Sequence, residues 1–245
     1  MPTNSTNAQV FLLHFAGGNC YSYDFLKKYL NSELDVFPLE LPGRGKRFRE
    51  AIIHNKAEAI RDYANQIKKL RNGRPYLIFG HSMGASLGLY VAHEMEKSGD
   101  IPLHLIVSGN AGPGAAANSP DYTPKPLRYL MDDEGFKKEL RVLGGVSEEV
   151  LENDELYQFF VPIIKADFEV IEKQNQLPTD LKLHTSIYAM MGSEEELSSQ
   201  IRNWKRFTAL AFQFKIFEGH HFFINDYPRE VAQIINTSYK EQFQF

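Results

Sequence analysis

The stretch Gly80-His81-Ser82-Met83-Gly84 constrains the fold of this chain more than any other, because of what flanks it. Upstream, Pro75 to Phe79 is a short apolar run that reads as a buried strand. Downstream, Leu87, Leu89, Val91, Ala92 and Met95 give a helical apolar pattern that stops at Gly99. Strand, Gly-x-Ser-x-Gly, helix describes a strained turn that lifts a serine hydroxyl above a sheet edge. Glycines flank the serine because strand and helix cross there too closely to admit a Cβ. The pentapeptide alone is a weak signal; its setting makes Ser82 the candidate nucleophile.

The rest of the chain fits that turn. Strand-like segments fall at 9–14, 34–39, 75–80, 101–108, 183–191 and 211–218. Helical patterns lie between them at 22–30, 56–71, 83–98 and 196–207, with a last helix from Pro228. Such alternation predicts an α/β fold, a mostly parallel central sheet with helices on both faces. With 245 residues, 43% of them hydrophobic, one domain over 1–245 can bury a substantial core. The interval 111–175 breaks the alternation. It opens with Gly112-Pro113-Gly114 and continues with helical stretches at 126–142, 147–152 and 154–174, which reads as a lid inserted after a strand. Its Leu143-Gly144-Gly145-Val146-Ser147 has a superficial likeness to a phosphopantetheine attachment serine. Ser147 followed by Glu148 and Glu149 is better read as an ordinary helix N-cap.

Bulk properties exclude several classes. A net charge of −4 and the lack of zinc-type Cys/His spacing give no support for nucleic-acid binding. Cys20 is the only cysteine, so no intrachain disulfide forms, and a reducing cytoplasm is the expected location. It reads as a small residue in a packed turn. The N-terminal residues 1–7 lack basic groups, and the run Val10 to Phe15 is too short for a membrane span.

A serine hydroxyl needs a general base within hydrogen-bond reach. Of eight histidines, His93 and His104 lie in periodic segments, and His54 and His184 in polar or strand contexts. His81 should diverge from its neighbour Ser82, and His14 ends the first strand, where it borders the site. That leaves the loop Glu218-Gly219-His220-His221-Phe222-Phe223 after the last strand, where position alone does not choose between the two histidines. The acid should follow a strand and precede the histidine. After strand 183–191 comes Gly192-Ser193-Glu194-Glu195-Glu196, whose glutamates also suit the solvated first turn of a helix. The other strand able to supply an acid ends in Ser108-Gly109-Asn110, without a carboxylate, so one of the three glutamates is the expected orienter. An oxyanion needs two backbone donors. Met83 N–H follows the nucleophile, and Ala16 N–H lies in the Gly-rich loop His14-Phe15-Ala16-Gly17-Gly18.

With these residues placed, the chain resembles the type II thioesterases, free-standing α/β-hydrolases of nonribosomal peptide and polyketide assembly lines. The matching segments run through nearly the whole length: Phe15 to Gly18, Leu41-Pro42-Gly43-Arg44-Gly45, Gly80 to Ala85, Leu143 to Leu151, Lys165-Ala166-Asp167-Phe168 and Gly219 to Phe223. The resemblance implies an α/β-hydrolase fold with a helical lid. It makes His221, which directly precedes the aromatic pair, the base, with His220 in place of a glycine. The family usually places an aspartate two or three residues after the strand-ending glycine. Here only glutamates stand there, and Glu195, three after Gly192, is the choice, with Glu194 second.

The resemblance further implies hydrolysis of acyl or aminoacyl thioesters on the phosphopantetheine arm of acyl or peptidyl carrier protein domains. Ser82, His221 and Glu195 would act as triad, and Met83 and Ala16 as oxyanion donors. The chain itself would need no cofactor or metal, bind neither membrane nor nucleic acid, and work as a monomer. The cluster Arg44, Lys46, Arg47 and Arg49 could meet an acidic carrier or the arm's phosphate, although for the last three a solvated loop with Glu50 nearby is the preferred reading. Competing readings are a small-molecule carboxylesterase or lipase, an acyltransferase or cyclase, and a catalytically silent interaction protein.

Overall fold

Along β1 (Ala8–Leu13) successive side chains enter opposite cores: Val10 and Leu12 pack on one face of the sheet, Phe11 and Leu13 on the other. A strand covered on both faces needs such an unbroken apolar run. The structure, a computed structural model, describes residues 8–116, 123, 125–173, 177–178 and 180–240. β3 (Tyr76–His81) and β4 (His104–Ser108) are likewise buried throughout. With β2 (Leu34–Leu39), β5 (Ser186–Gly192) and β6 (Phe212–Phe217) they form a six-stranded sheet of order β2-β1-β3-β4-β5-β6. Every neighbouring pair is parallel. One core lies under α2 (Lys56–Leu70) and α3 (Met83–Lys97), the other under α1 (Asp24–Lys27) and α7 (Pro228–Lys240). Each buried Leu, Ile or Phe contributes about 1.5–3 kcal/mol, so the sheet fixes where its C-terminal loops emerge. Strand order reverses between β1 and β3, the crevice where open α/β sheets place their sites.

Between β4 and β5 the chain forms a 3-10 turn (Arg128–Leu130) and the helices α4 (Asp133–Leu143), α5 (Glu148–Glu152) and α6 (Asp154–Glu172). They share an apolar cluster of Phe136, Leu140, Leu151, Tyr157, Val161, Ile164 and Phe168. Parts of the expected lid, 117–122, 124 and 174–175, lie outside the described residues. Asp132 and Asn153 cap α4 and α6 by accepting from Gly135 and Leu156 N–H. Ser147 does precede α5, but its side chain makes no capping bond.

Other boundaries shift for physical reasons. The helix expected at 22–30 is the single turn Asp24–Lys27. The strand expected from 101 starts at His104, because Pro102 has no N–H to donate. That expected from 183 starts at Ser186, with Leu183 held by an isolated bridge to Thr208. The helix expected at 196–207 is a 3-10 helix, Ser198–Phe207. Its three-residue turn aligns Ile201, Trp204 and Phe207, all buried, on one side. Trp204 Nε1–H and Asn203 Nδ2–H donate to the carbonyls of Asn110 and Ala111, at 2.7 and 3.0 Å, and so anchor the loop after β4.

Candidate active site

Ser82 is the one non-glycine residue with positive φ among the described residues, at φ 54° and ψ −110°. A conformation this sparsely populated costs about 1–3 kcal/mol and persists only where its surroundings enforce it. Ser82 N–H donates to Ser108 carbonyl at 2.7 Å, tying the turn to the end of β4. The flanking glycines answer to contact: a Cβ on Gly80 would lie 2.2 Å from Gly84 carbonyl oxygen, and one on Gly84 2.1 Å from that of Leu13. No side chain fits either place.

His221 Nε2 stands 2.9 Å from Ser82 Oγ, and His221 Nδ1 2.6 Å from Glu195 Oε2. A carboxylate only accepts, so Nδ1 carries the proton and Nε2 presents its lone pair to the serine. Glu195 Oε1 accepts from Gly192 N–H at 2.8 Å, which fixes the carboxylate in plane. The acid and base loops are stitched together: Ser193 N–H donates to Phe217 carbonyl at 2.7 Å and Glu194 N–H to Gly219 carbonyl at 3.0 Å. A Cβ on Gly192 would meet His220 carbonyl oxygen at 2.3 Å, so only glycine lets the loops approach.

The three glutamates, of which Glu195 was the expected acid and Glu194 the second choice, are separated by their partners. Glu195 faces His221, exposed Glu194 pairs with exposed His220 at 3.1 Å, and Glu196 pairs with Lys125 at 2.5 Å. Met83 opens α3, where first-turn N–H groups have no intrahelical acceptor. Ala16 lies in the loop after β1, beside Ser82 in the wall of one cavity. That cavity, of about 420 Å3, is lined by Phe15, Leu140, Leu143, Phe168, Ile171 and Phe222, with His221, Asn110, Arg128 and Glu172 as polar members.

His81 diverges from Ser82 as expected. It is fully buried, its Nδ1 2.9 Å from Ser108 Oγ, its ring 4.9 Å from that of His221. Burial, and then the proximity of His221, hold it well below the usual histidine range, so it is a neutral wall. His14 donates from Nδ1 to Phe15 carbonyl at 2.8 Å and accepts at Nε2 from Leu41 N–H at 3.2 Å. Burial, reinforced by the Arg44 cation, pushes its pKa down to about 4. Cys20 is buried in the turn before α1, its N–H bonded to Glu40.

The basic cluster needs correction. Arg44 is buried against Asp167, and Arg47 is held by Glu50 and Asp62, so neither is free to meet a partner. Lys46 and Arg49 remain exposed. Sequence reasoning missed two ion pairs at the site, Arg44–Asp167 and Arg128–Glu172. For the first, both partners stood in segments singled out by resemblance; for the second there was no signal.

The fold and this cluster define a class: an α/β-hydrolase fold with serine, imidazole and carboxylate in line at the C-terminal ends of its strands. Comparison with known proteins narrows it. The family model described as "Thioesterase domain" matches residues 8–239, and the chain belongs to that family, enzymes that hydrolyse thioesters. It is similar to the linear gramicidin dehydrogenase LgrE of Brevibacillus parabrevis, 31% identical over 97% of this chain and 90% of that one. Among solved structures it is similar to ClbQ from the colibactin NRPS/PKS pathway, at TM-score 0.86 and 27% identity over 96% of this chain and 98% of that one. It is also similar to the type II thioesterase BorB from the borrelidin biosynthetic cluster, at TM-score 0.82 and 28% identity over 97% and 95% of the two chains.

Proposed function

We propose that this chain is a type II thioesterase that clears acyl or aminoacyl groups from the phosphopantetheine arms of carrier proteins in nonribosomal peptide or polyketide synthesis. The observation that carries this reading is the Ser82–His221–Glu195 chain of hydrogen bonds opening on an acyl-sized cavity. Ser82 Oγ attacks the thioester carbonyl as His221 Nε2 takes its proton, and Ala16 and Met83 N–H groups receive the oxyanion. Collapse of the adduct breaks the C–S bond, and the proton on His221 passes to the departing thiolate. His221 then activates water, whose attack on the acyl-serine ester releases the acid and restores Ser82. Glu195 keeps the imidazole in the tautomer that accepts from serine. The chain needs no resident cofactor; the pantetheine belongs to the carrier.

The α4–α6 insertion supplies Leu140, Leu143, Phe168 and Ile171 to the cavity and serves as its lid. Removal of stalled acyl groups, in the cytoplasm and by a monomer, is the role that fits. Among the described residues no helix is long and apolar enough to cross a membrane.

The test compares an acyl-carrier protein with the same acyl group on a small thiol, across a salt series. We expect kcat/KM to be well above the small-thioester value for the carrier, since binding energy of the protein part is used in the transition state. Neutralising Lys46 and Arg49 should lower it for the carrier alone. Equal efficiency on both substrates leaves a general thioesterase or esterase. Product analysis separates hydrolysis from the redox chemistry in the name of LgrE, since only hydrolysis yields the free acid without a reductant.

A further inference from the structure

The buried pair Arg44–Asp167 ties three separate parts of the chain together at one point. Arg44 follows β2, Asp167 lies on α6, and both are almost wholly buried, at 4% and 0% exposure. Asp167 Oδ2 accepts from Arg44 Nη1 at 2.5 Å and Oδ1 from Arg44 Nη2 at 2.8 Å. The same Oδ2 accepts from Gly17 N–H at 2.8 Å, and Arg44 Nη1 also reaches Gly18 carbonyl at 3.4 Å. Gly17 takes φ +77°, and a Cβ there would lie 3.0 Å from Ile164 Cγ1 of α6, so the loop rests directly on that helix.

Stability is a poor explanation for such a pair. Taking two charges out of water costs most of what their attraction returns, and apolar residues of similar volume often do as well. Its geometry points elsewhere. Gly17 N–H belongs to the peptide that follows Ala16, so the carboxylate sets the plane of that peptide. Gly18 N–H donates to Phe15 carbonyl at 2.9 Å, and His14 donates to the same carbonyl at 2.8 Å. These bonds hold the polar groups on both sides of Ala16 N–H.

We propose that Arg44 and Asp167 are positioning residues for the reaction: they aim Ala16 N–H at the oxyanion and make that donor depend on the seating of α6. The inference rests on the proposed role of Ser82. Within the next turn after Asp167, α6 presents the adjacent Phe168 and then Ile171 to the acyl cavity. A displacement of the helix by the wrong occupant would therefore also misplace the donor.

The double variant Arg44→Met/Asp167→Leu replaces the pair by apolar residues of similar bulk and leaves no unpaired charge. It removes the acceptor of Gly17 N–H. On a small acyl thioester its kcat should fall about 10²–10³-fold, the usual loss for one oxyanion donor, with KM within about threefold. Affinity for an acyl trifluoromethyl ketone, whose adduct with serine carries the oxyanion, should fall by the same factor as kcat/KM, while Tm stays near wild type. Arg44→Lys, which keeps the charge and loses the paired geometry, should lower kcat about tenfold at unchanged KM. Ser82→Ala is assayed alongside. Activity in Ser82→Ala would mean that the reading of the site has failed. An inactive Ser82→Ala beside a double variant with wild-type kcat and ketone affinity, or an Arg44→Lys with unchanged kcat, would overturn the positioning role alone.

Discussion

Glu195→Gln tests the site most sharply, because the structure dictates which way the new amide must point. Glu195 uses one oxygen on Gly192 N–H and the other on His221 Nδ1. A glutamine has only one oxygen. Turned toward His221, it would set its NH2 against Gly192 N–H, donor against donor in a half-buried site, at a cost of about 1–3 kcal/mol. The amide therefore keeps its oxygen on Gly192 and offers NH2 to Nδ1, which must then accept. The ring proton moves to Nε2, where it blocks transfer from Ser82. The same change in a serine protease triad lowers kcat about 10⁴-fold, equivalent to about 5.5 kcal/mol of barrier. The assay is thiol release from a small acyl thioester at saturating substrate, with near-ultraviolet circular dichroism as the folding control. Glu194→Gln, which touches only exposed His220, should stay within about twofold. A loss below tenfold in Glu195→Gln, or a matching loss in Glu194→Gln, would refute the assignment of the acid.

Two further outcomes are expected. His221→Ala should be as damaging as Ser82→Ala, since the pair acts as one unit, whereas His220→Gly should keep most activity because only the exposed Glu194 contact is lost; the reverse order would move the base. Stability should fall on acidification from pH 6.5 toward 4. His14 titrates near 6.5 unfolded and near 4 folded, so in that window the unfolded chain binds the extra proton, and the stability present above pH 6.5 is lost as pH falls. The shift is worth about 3 kcal/mol, with His81 adding in the same direction. Urea midpoints at pH 7, 6 and 5 should show a shallower fall in His14→Gln; an equal fall in both proteins would contradict the linkage.

What could be read from the sequence was whatever depends on neighbours in the chain. The strand before Ser82 and the helix after it follow from apolar runs and spacing, and the two glycines from the tightness of the turn. Each of the six strands was expected within a few residues of where it lies. His221 needed the resemblance, because loop position cannot rank two adjacent histidines. Position alone narrowed the acid to three glutamates, and the choice of Glu195 over Glu194 also needed the resemblance, since side-chain direction after Gly192 depends on a loop from another strand. Nothing local could show that Arg44 is spoken for by Asp167, 123 residues away, and its buried pairing turned an apparent surface cation into part of the loop around Ala16. The 3-10 winding of Ser198–Phe207 was hidden for a similar reason: its anchors are carbonyls of the loop after β4.

The central claim is that Ser82 carries the acyl group between carrier and water. The direct measurement is mass spectrometry of the enzyme quenched in acid within milliseconds of mixing with an acyl-carrier protein. We expect an adduct of the acyl mass on the peptide containing Ser82, formed as free carrier thiol appears and lost as free acid accumulates, and no adduct in Ser82→Ala. An acyl group found on another residue, or acid released at wild-type rate by Ser82→Ala, would contradict the account.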